Sequence, residues 1–162
     1  MSYKKCRKKR FSRKTKRYWY HISTTLKDKY IQLIPWNEDK ATNRDFSEPA
    51  GERICVAPTI EQCITALPYW STATYIIYRT KSVTTAKHPR GVFDSSVTHE
   101  GWLQTPASFV KVGILRFKDV EKELGNGEDI IEEAASRNNV KASASVLRWW
   151  KRARIKRFIK RA

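Results

Sequence analysis

Residues 53–67 read RICVAPTIEQCITAL, and this stretch decides the fold. Arg53 to Ala57 (RICVA) is a short apolar run of the kind that forms a buried strand. Pro58 and Thr59 offer a helix start, after which Ile60, Cys63, Ile64 and Leu67 recur at i, i+3, i+4 and i+7, with Glu61 and Gln62 between them. That spacing gives a short amphipathic helix ending before Pro68. A strand feeding straight into such a helix needs a sheet for both to pack on, so the flanking sequence should supply more strands.

It does so on both sides. Upstream, Tyr18 to Ser23 (YWYHIS) is aromatic and β-prone, and Tyr30 to Ile34 (YIQLI) alternates and stops at Pro35. Residues 37–51 (NEDKATNRDFSEPAG) are rich in turn formers and carry one large apolar residue, Phe46, as a long surface loop would. Downstream, Tyr75 to Arg79 (YIIYR) reads as an apolar strand that residues 82–86 extend or follow. Residues 88–96 (HPRGVFDSS) are turn-rich, and residues 97–102 (VTHEGW) lead into Phe109 to Phe117 (FVKVGILRF), apolar on both faces and therefore a central strand. Helices are expected at 119–124, ended by Gly125, Asn126 and Gly127, at 128–136, and from about Lys141 to Arg161. Strands around one helix followed by helices, without regular βαβ alternation, predict an α+β domain with a mixed or antiparallel sheet. A doubly wound fold is disfavoured, since neither GxGxxG nor GxxxxGK[ST] occurs.

Charge divides the chain. Its 162 residues, about one domain, hold 33 Lys+Arg against 16 Asp+Glu, a formal charge of +17. Ten of the cations lie in residues 1–20 and nine in residues 140–162, neither segment containing an acid. Residues 21–139 therefore hold 14 cations against all 16 acids, a nearly neutral body. The expected division is a basic flexible arm at 1–17, an α+β body at 18–124, and C-terminal helices at 125–162, the last strongly basic. With 40% hydrophobic residues and six Trp, the body has apolar mass for a core, which excludes a wholly disordered chain. No apolar run reaches the roughly 18–20 residues of a membrane span, and no apolar segment of a secretory signal follows the basic start, so a soluble cytoplasmic protein is expected. Cys6, Cys55 and Cys63 lack a CxxC pair. A disulfide framework or a metal site is not expected, and Cys55 and Cys63 read as reduced core residues.

Two side chains stand out as candidates for chemistry. His21 lies in the aromatic strand with Ser23 at the next position on the same face, and a histidine there serves either as a hydrogen-bonded core residue or as a catalyst. A two-histidine phosphoesterase would need a second HxT or HxS strand, which neither His88 nor His99 supplies. Glu100, beside Gly101 and Trp102, sits where the turn region meets the central strand; it is either a solvated turn residue or a carboxylate set to stabilise a developing cation. Asp94 and Arg53 read most simply as a turn cap and a charge at a strand edge.

The order of these segments, YHIS, a variable loop, RICVAPTIEQCITAL, YIIYR and VTHEGWLQTPASFV, resembles the ADP-ribosyltransferase fold of the poly(ADP-ribose) polymerase and diphtheria-toxin type over roughly residues 18–117. The resemblance implies NAD as substrate and transfer of its ADP-ribose to a target. It assigns to His21 the bond to the nicotinamide ribose, to Ser23 a place at the nicotinamide end, and to Glu100 the stabilisation of an oxocarbenium-like transition state. Cys55 stands where that family often has a stacking tyrosine, so Tyr69, Tyr75 or Tyr78 would substitute. The implied NAD contacts are His21, Ser23, Arg53 and Tyr69.

The basic ends are the footprint of a polyanion, either a nucleic acid (DNA or RNA) or a nucleoprotein. The candidate contacts are Lys8, Lys9 and Arg10 in the arm, and Arg148, Trp149, Lys151, Arg152, Arg154, Lys156 and Arg157 in the last helix. In LRWWKRARIKRF the tryptophans either stack bases beside the cations or, since Val146, Trp149, Trp150 and Ala153 share a helix face, dock that helix on the sheet. A cationic helix with Trp can also lie on an anionic membrane. No helix-turn-helix, zinc-finger or RNP signature is present to read bases, so sequence-independent binding is expected. About eight phosphate contacts would give a log K against log salt slope near −7. A non-enzymatic nucleic-acid-binding protein is the alternative to the transferase.

Overall fold

The computed structural model describes residues 14–37, 51–66, 74–89, 95–124 and 140–162. The strand–helix unit forms as expected: β5, Glu52–Val56, runs into α1, Ile60–Thr65. Thr59 caps this helix. Its Oγ1 accepts from the Gln62 backbone N–H at 3.2 Å and donates to the Gln62 side-chain oxygen at 3.0 Å, a reciprocal cap that fixes where the first turn starts.

The body is α+β. Among the described strands every pairing is antiparallel. The main sheet centres on β9, Ala107–Arg116, as its apolar length requires. One edge of β9 pairs with β6, Thr74–Thr80, which pairs in turn with β2, Tyr20–Ser23. The other edge is shared between β3, Tyr30–Leu33, along residues 107–110, and the C-terminal β10, Lys160–Arg161, at Gly113 and Ile114. A second sheet runs in the order β4 (Trp36–Asn37), β5, β8 (Gly101–Leu103), and a small pair joins β1 (Thr15–Arg17) to β7 (Thr84–Ala86).

Alternation along β6 explains why the middle of the main sheet is apolar on both faces. Tyr75 and Ile77 join Ile22 and Leu115 beneath α1, α3 (Phe117–Leu124) and α4 (Val140–Ala153). Ile76 and Tyr78 point the other way, with Trp19 and Phe109, against Ile54, Val56 and Leu103 of the second sheet. Helices, main sheet and second sheet therefore make three layers with an apolar seam at each contact.

Three expectations are corrected. Order begins before Tyr18: Thr15–Arg17, read as part of the arm, pairs with Thr84–Ala86 because β7 offers it an open hydrogen-bonding edge. The chain between Ser95 and Thr98 forms a single helical turn, α2, where the end of a turn-rich stretch (to Ser96) and the lead into the central strand (from Val97) were expected. The last helix does not continue to Arg161. It stops at Ala153, Arg154 takes a left-handed conformation (φ 51°), a 3-10 turn spans Ile155–Phe158, and β10 returns to the sheet. The reason is apolar: a straight helix would carry Ile155 and Ile159 past the core, whereas the break buries Ile155 completely and packs Ile159 against the helical core. The expected helix at 128–136 lies outside the described residues, and of the surface loop expected at 37–51, Asn37 belongs to β4 instead while residues 38–50 lie outside the described residues. Among the described residues no helix is long and apolar enough to cross a membrane.

Gly113 is required where β10 docks. A Cβ there would run into Ile159 and lie 3.0 Å from the Lys160 carbonyl oxygen. Gly113→Val is expected to lift β10 off β9 and to cost about 1–3 kcal/mol, measurable by urea unfolding, with exchange of the Gly113 and Ile114 amides as the local readout.

Candidate functional site

Among the described residues the main sheet and the second sheet share one backbone bridge and otherwise meet through side chains. Tyr20 and Ala57 exchange backbone hydrogen bonds, both 2.9 Å, after which β2 runs on in the main sheet while β5 lies in the second. His21 occupies this fork. Its Nδ1 donates to the Cys55 carbonyl at 3.0 Å, and its ring leans on Phe109 with centroids 5.7 Å apart. A carbonyl only accepts, so the bond fixes the proton on Nδ1 and gives Nε2 the lone pair in the neutral ring. Burial pulls the His21 pKa below its usual 6.5, outweighing the carbonyl bond that raises it.

That shift has a consequence for stability. As pH falls below about 6.5 the unfolded chain takes up a proton at residue 21 while the folded chain does not yet, so stability decreases. The loss levels off once the folded His21 is itself protonated. His21→Gln is expected to flatten this part of the stability profile, measured by urea midpoints between pH 5 and 8; an unchanged slope would assign the dependence to other groups.

Ser23 serves the turn. Its Oγ accepts from the backbone N–H groups of Thr25 (3.2 Å) and Leu26 (3.0 Å), closing the bend after β2. Arg53 is buried, with its guanidinium 4.2 Å from the centre of the Trp102 ring. Tyr69 lies outside the described residues, as do Asp94 and Cys6. Of the substitute tyrosines, Tyr75 and Tyr78 are fully buried, on opposite faces of the main sheet; the Tyr78 hydroxyl donates to the Asp28 carbonyl at 2.9 Å. Both are core residues. Cys63 is likewise buried, whereas Cys55, expected in the core, is half-buried.

Glu100 sits immediately before β8 and is held by main chain and side chain. Trp102 Nε1 donates to its Oε1 at 2.7 Å. The His88 Nδ1–H donates to its carbonyl oxygen at 3.0 Å, while Thr15 Oγ1 lies 3.0 Å from His88 Nε2. The residue before it, His99, has φ 52°, a left-handed conformation costly for a residue with a Cβ and tolerated better by His than by most. On the other side Gln62 Nε2 donates to the Val97 carbonyl at 3.1 Å, tying α1 to the turn that delivers Glu100. Burial, and then the negative charge of Glu100, push the Cys63 thiol up to about 12.

His88, Trp102 and Thr15 therefore belong to the support of Glu100, although the sequence reading used none of them in that role. Trp102 had a signal: it stands two residues after Glu100 on a strand and so shares its side. His88 and Thr15 had none, because each acts across 12 or more residues of sequence. Among the described residues no group of three or more His, Cys, Asp or Glu side chains is arranged to hold a metal ion.

At the C-terminal end the cations and the tryptophans separate. Arg148, Lys151, Arg152, Arg154, Lys156 and Arg157 are exposed. Trp149 is 8% exposed and packs on Phe117 and on Trp150, whose ring centre is 4.5 Å away. Trp149 is thus a docking residue and offers no face for a base, because the shared helix face of Val146, Trp149, Trp150 and Ala153 buries itself on the sheet. Lys8, Lys9 and Arg10 lie outside the described residues.

No protein-family model matches this chain, and no characterised protein or solved structure matches it either. Function must be argued from the geometry.

Proposed function

We propose that the body is an ADP-ribosyltransferase that consumes NAD and modifies a nucleic acid or a protein bound to one. The observation that carries this reading is the way His21 and Glu100 are anchored. Each has one polar atom tied to the scaffold, Nδ1 to the Cys55 carbonyl and Oε1 to the Trp102 indole, at a fork between sheets and beside a strained turn.

The chemistry follows from those atoms. His21, neutral near pH 7 with its lone pair on Nε2, is suited to accept the hydrogen of a ribose hydroxyl and so orient the sugar. The Glu100 carboxylate supplies negative charge for the cation that develops on the ribose as the bond to nicotinamide breaks and its electron pair leaves with the ring. A nucleophile of the target then bonds to that carbon and gives its proton to solvent.

The test is incubation of the full chain with NAD labelled in its ADP-ribose, together with DNA, RNA and total protein. Label should appear on one target class with the parent chain and be absent with Glu100→Ala. No transfer to any target, together with no binding of NAD, would remove the reading.

A second reading is favoured by a separate observation. Lys151, Arg152, Arg154, Lys156 and Arg157 cluster, all exposed, where α4 ends. A protein that binds nucleic acid without transforming it would need these cations and neither His21 nor Glu100.

A further inference from the structure

The described helices cover the main sheet only in part. Residues paired in an antiparallel ladder put their side chains on one face, and so do residues two apart along a strand. Tyr30 pairs with Val110, Val110 with Arg79, and Arg79 with Tyr20, making one row across four strands. Gln32 and Ser108 pair in the next row of the same face. At the β2 end of the first row, Tyr20 packs against the helical core. At the β3 end Tyr30 is 60% exposed, and Gln32 and Ser108 are exposed too. The other face at this point is internal, since Phe109 and Ile31 belong to the core under the second sheet. The sheet therefore emerges from beneath its helices and shows solvent a tyrosine ring, an amide and a hydroxyl.

Cations gather around it. Lys29 Nζ is 5.6 Å and Lys81 Nζ 5.8 Å from the centre of the Tyr30 ring, and the Lys81 backbone N–H donates to the Ser108 carbonyl at 2.9 Å. The Arg79 guanidinium lies 4.8 Å from the centre of the Tyr18 ring, itself 44% exposed. Arg79 Nε is buried with no hydrogen-bond partner among the described residues. Open aromatic rings next to cations, with an amide and a hydroxyl between them, match the demands of a single strand of nucleic acid: ring faces for unstacked bases, positive charge for phosphates, and donors for base edges. A duplex keeps its base faces hidden and has no use for the rings.

We propose that a single-stranded nucleic acid lies across β3, β9 and β6 on this open face, stacking one base on Tyr30 and another, further along the strand, on Tyr18, with its phosphates toward Arg79 and Lys81. The surface concerns the partner and not the chemistry, so it stands whether or not the body transfers ADP-ribose. It also differs from the basic ends: those attract any polyanion, whereas this face requires bases that are free to stack.

The experiment is fluorescence anisotropy of a labelled fifteen-nucleotide oligothymidylate, and of a duplex of the same length, against the full chain without NAD, at about 0.2 M salt so that the basic ends contribute less. Tyr30→Ala should weaken binding of the single strand about tenfold, and Tyr18→Ala with Tyr30→Ala further, while the slope of log K against log salt and the duplex affinity stay as in the parent. Tyr30→Phe, which keeps the ring, should restore binding to within about twofold. Equal single-strand affinity for parent and double variant would overturn the proposal, as would an equal loss of single strand and duplex. Anionic lipid vesicles are the control: a Tyr30→Ala loss confined to vesicles would also overturn it. Because both tyrosines are well exposed, circular dichroism and thermal melting should report a normal fold for each variant.

Discussion

Trp150→Ala is expected to destabilise the protein by about 3–5 kcal/mol, lowering the melting temperature by about 6–20 °C. Trp150 is fully buried and sits edge-on to Phe117, at 5.8 Å, and to Trp149. Removing the indole would leave a cavity where α4 meets the core, lined by side chains that the sheet and helices hold in place. The same site contains a flaw. Trp150 Nε1 is buried with no hydrogen-bond partner among the described residues, and an orphan donor costs about 1–3 kcal/mol. Trp150→Phe, which deletes that donor and keeps a ring, should therefore cost far less than the alanine change. Urea unfolding of both variants measures the contrast; equal losses would show that the indole N–H is satisfied in solution.

Glu100→Gln is the second large effect. The amide oxygen can still accept from Trp102 Nε1, and the size and shape of the side chain are kept, so only the charge is lost. If that charge stabilises a cation on the ribose, transfer of ADP-ribose should fall about 10²- to 10³-fold while NAD affinity changes little. Rate measurements at saturating NAD and equilibrium binding separate the two quantities. A variant that binds NAD and transfers at the parental rate would leave Glu100 as a residue of the turn, held by Trp102 and His88 for structural reasons.

Much of the fold was legible because it is written in local patterns. Aromatic and apolar runs located β2 and β6, alternation located β3 and β9, and the i, i+3, i+4 spacing with Thr59 located α1. The central place of β9 could be read from its two apolar faces. What escaped is set by contacts distant in sequence. The cationic stretch after Trp150 looks like a continuous helix in isolation, yet burial of Ile155 outweighs helix continuation and turns the chain at Arg154. Likewise Thr15–Arg17 has the composition of a solvated arm, and only the edge offered by β7 makes it a strand. For the candidate site, His21 and Glu100 could be selected by position and by likeness to a known order of elements. Their supports, the Cys55 carbonyl and His88, could not, since a backbone acceptor carries no sequence mark and His88 reaches Glu100 through the fold. The tryptophans admitted two readings until the packing of α4 separated them. One practical point follows. Deleting the chain from about residue 141 removes Trp149 and Trp150 from the core, so lost binding would report unfolding; replacing the exposed Lys151, Arg152, Lys156 and Arg157 by Gln isolates the charge.

Strand β10 also bears on how the chain is made. Gly113 and Ile114 of β9 wait for Lys160 and Arg161, which are synthesised more than 40 residues later. At about 5–20 residues per second, a nascent chain has its central strand complete for several seconds before the partner of that edge exists. For that interval β9 is an open hydrogen-bonding edge, the kind that recruits other strands. The two closing residues are both basic, so the edge is sealed by positive charge, which repels a second copy of the chain as it arrives.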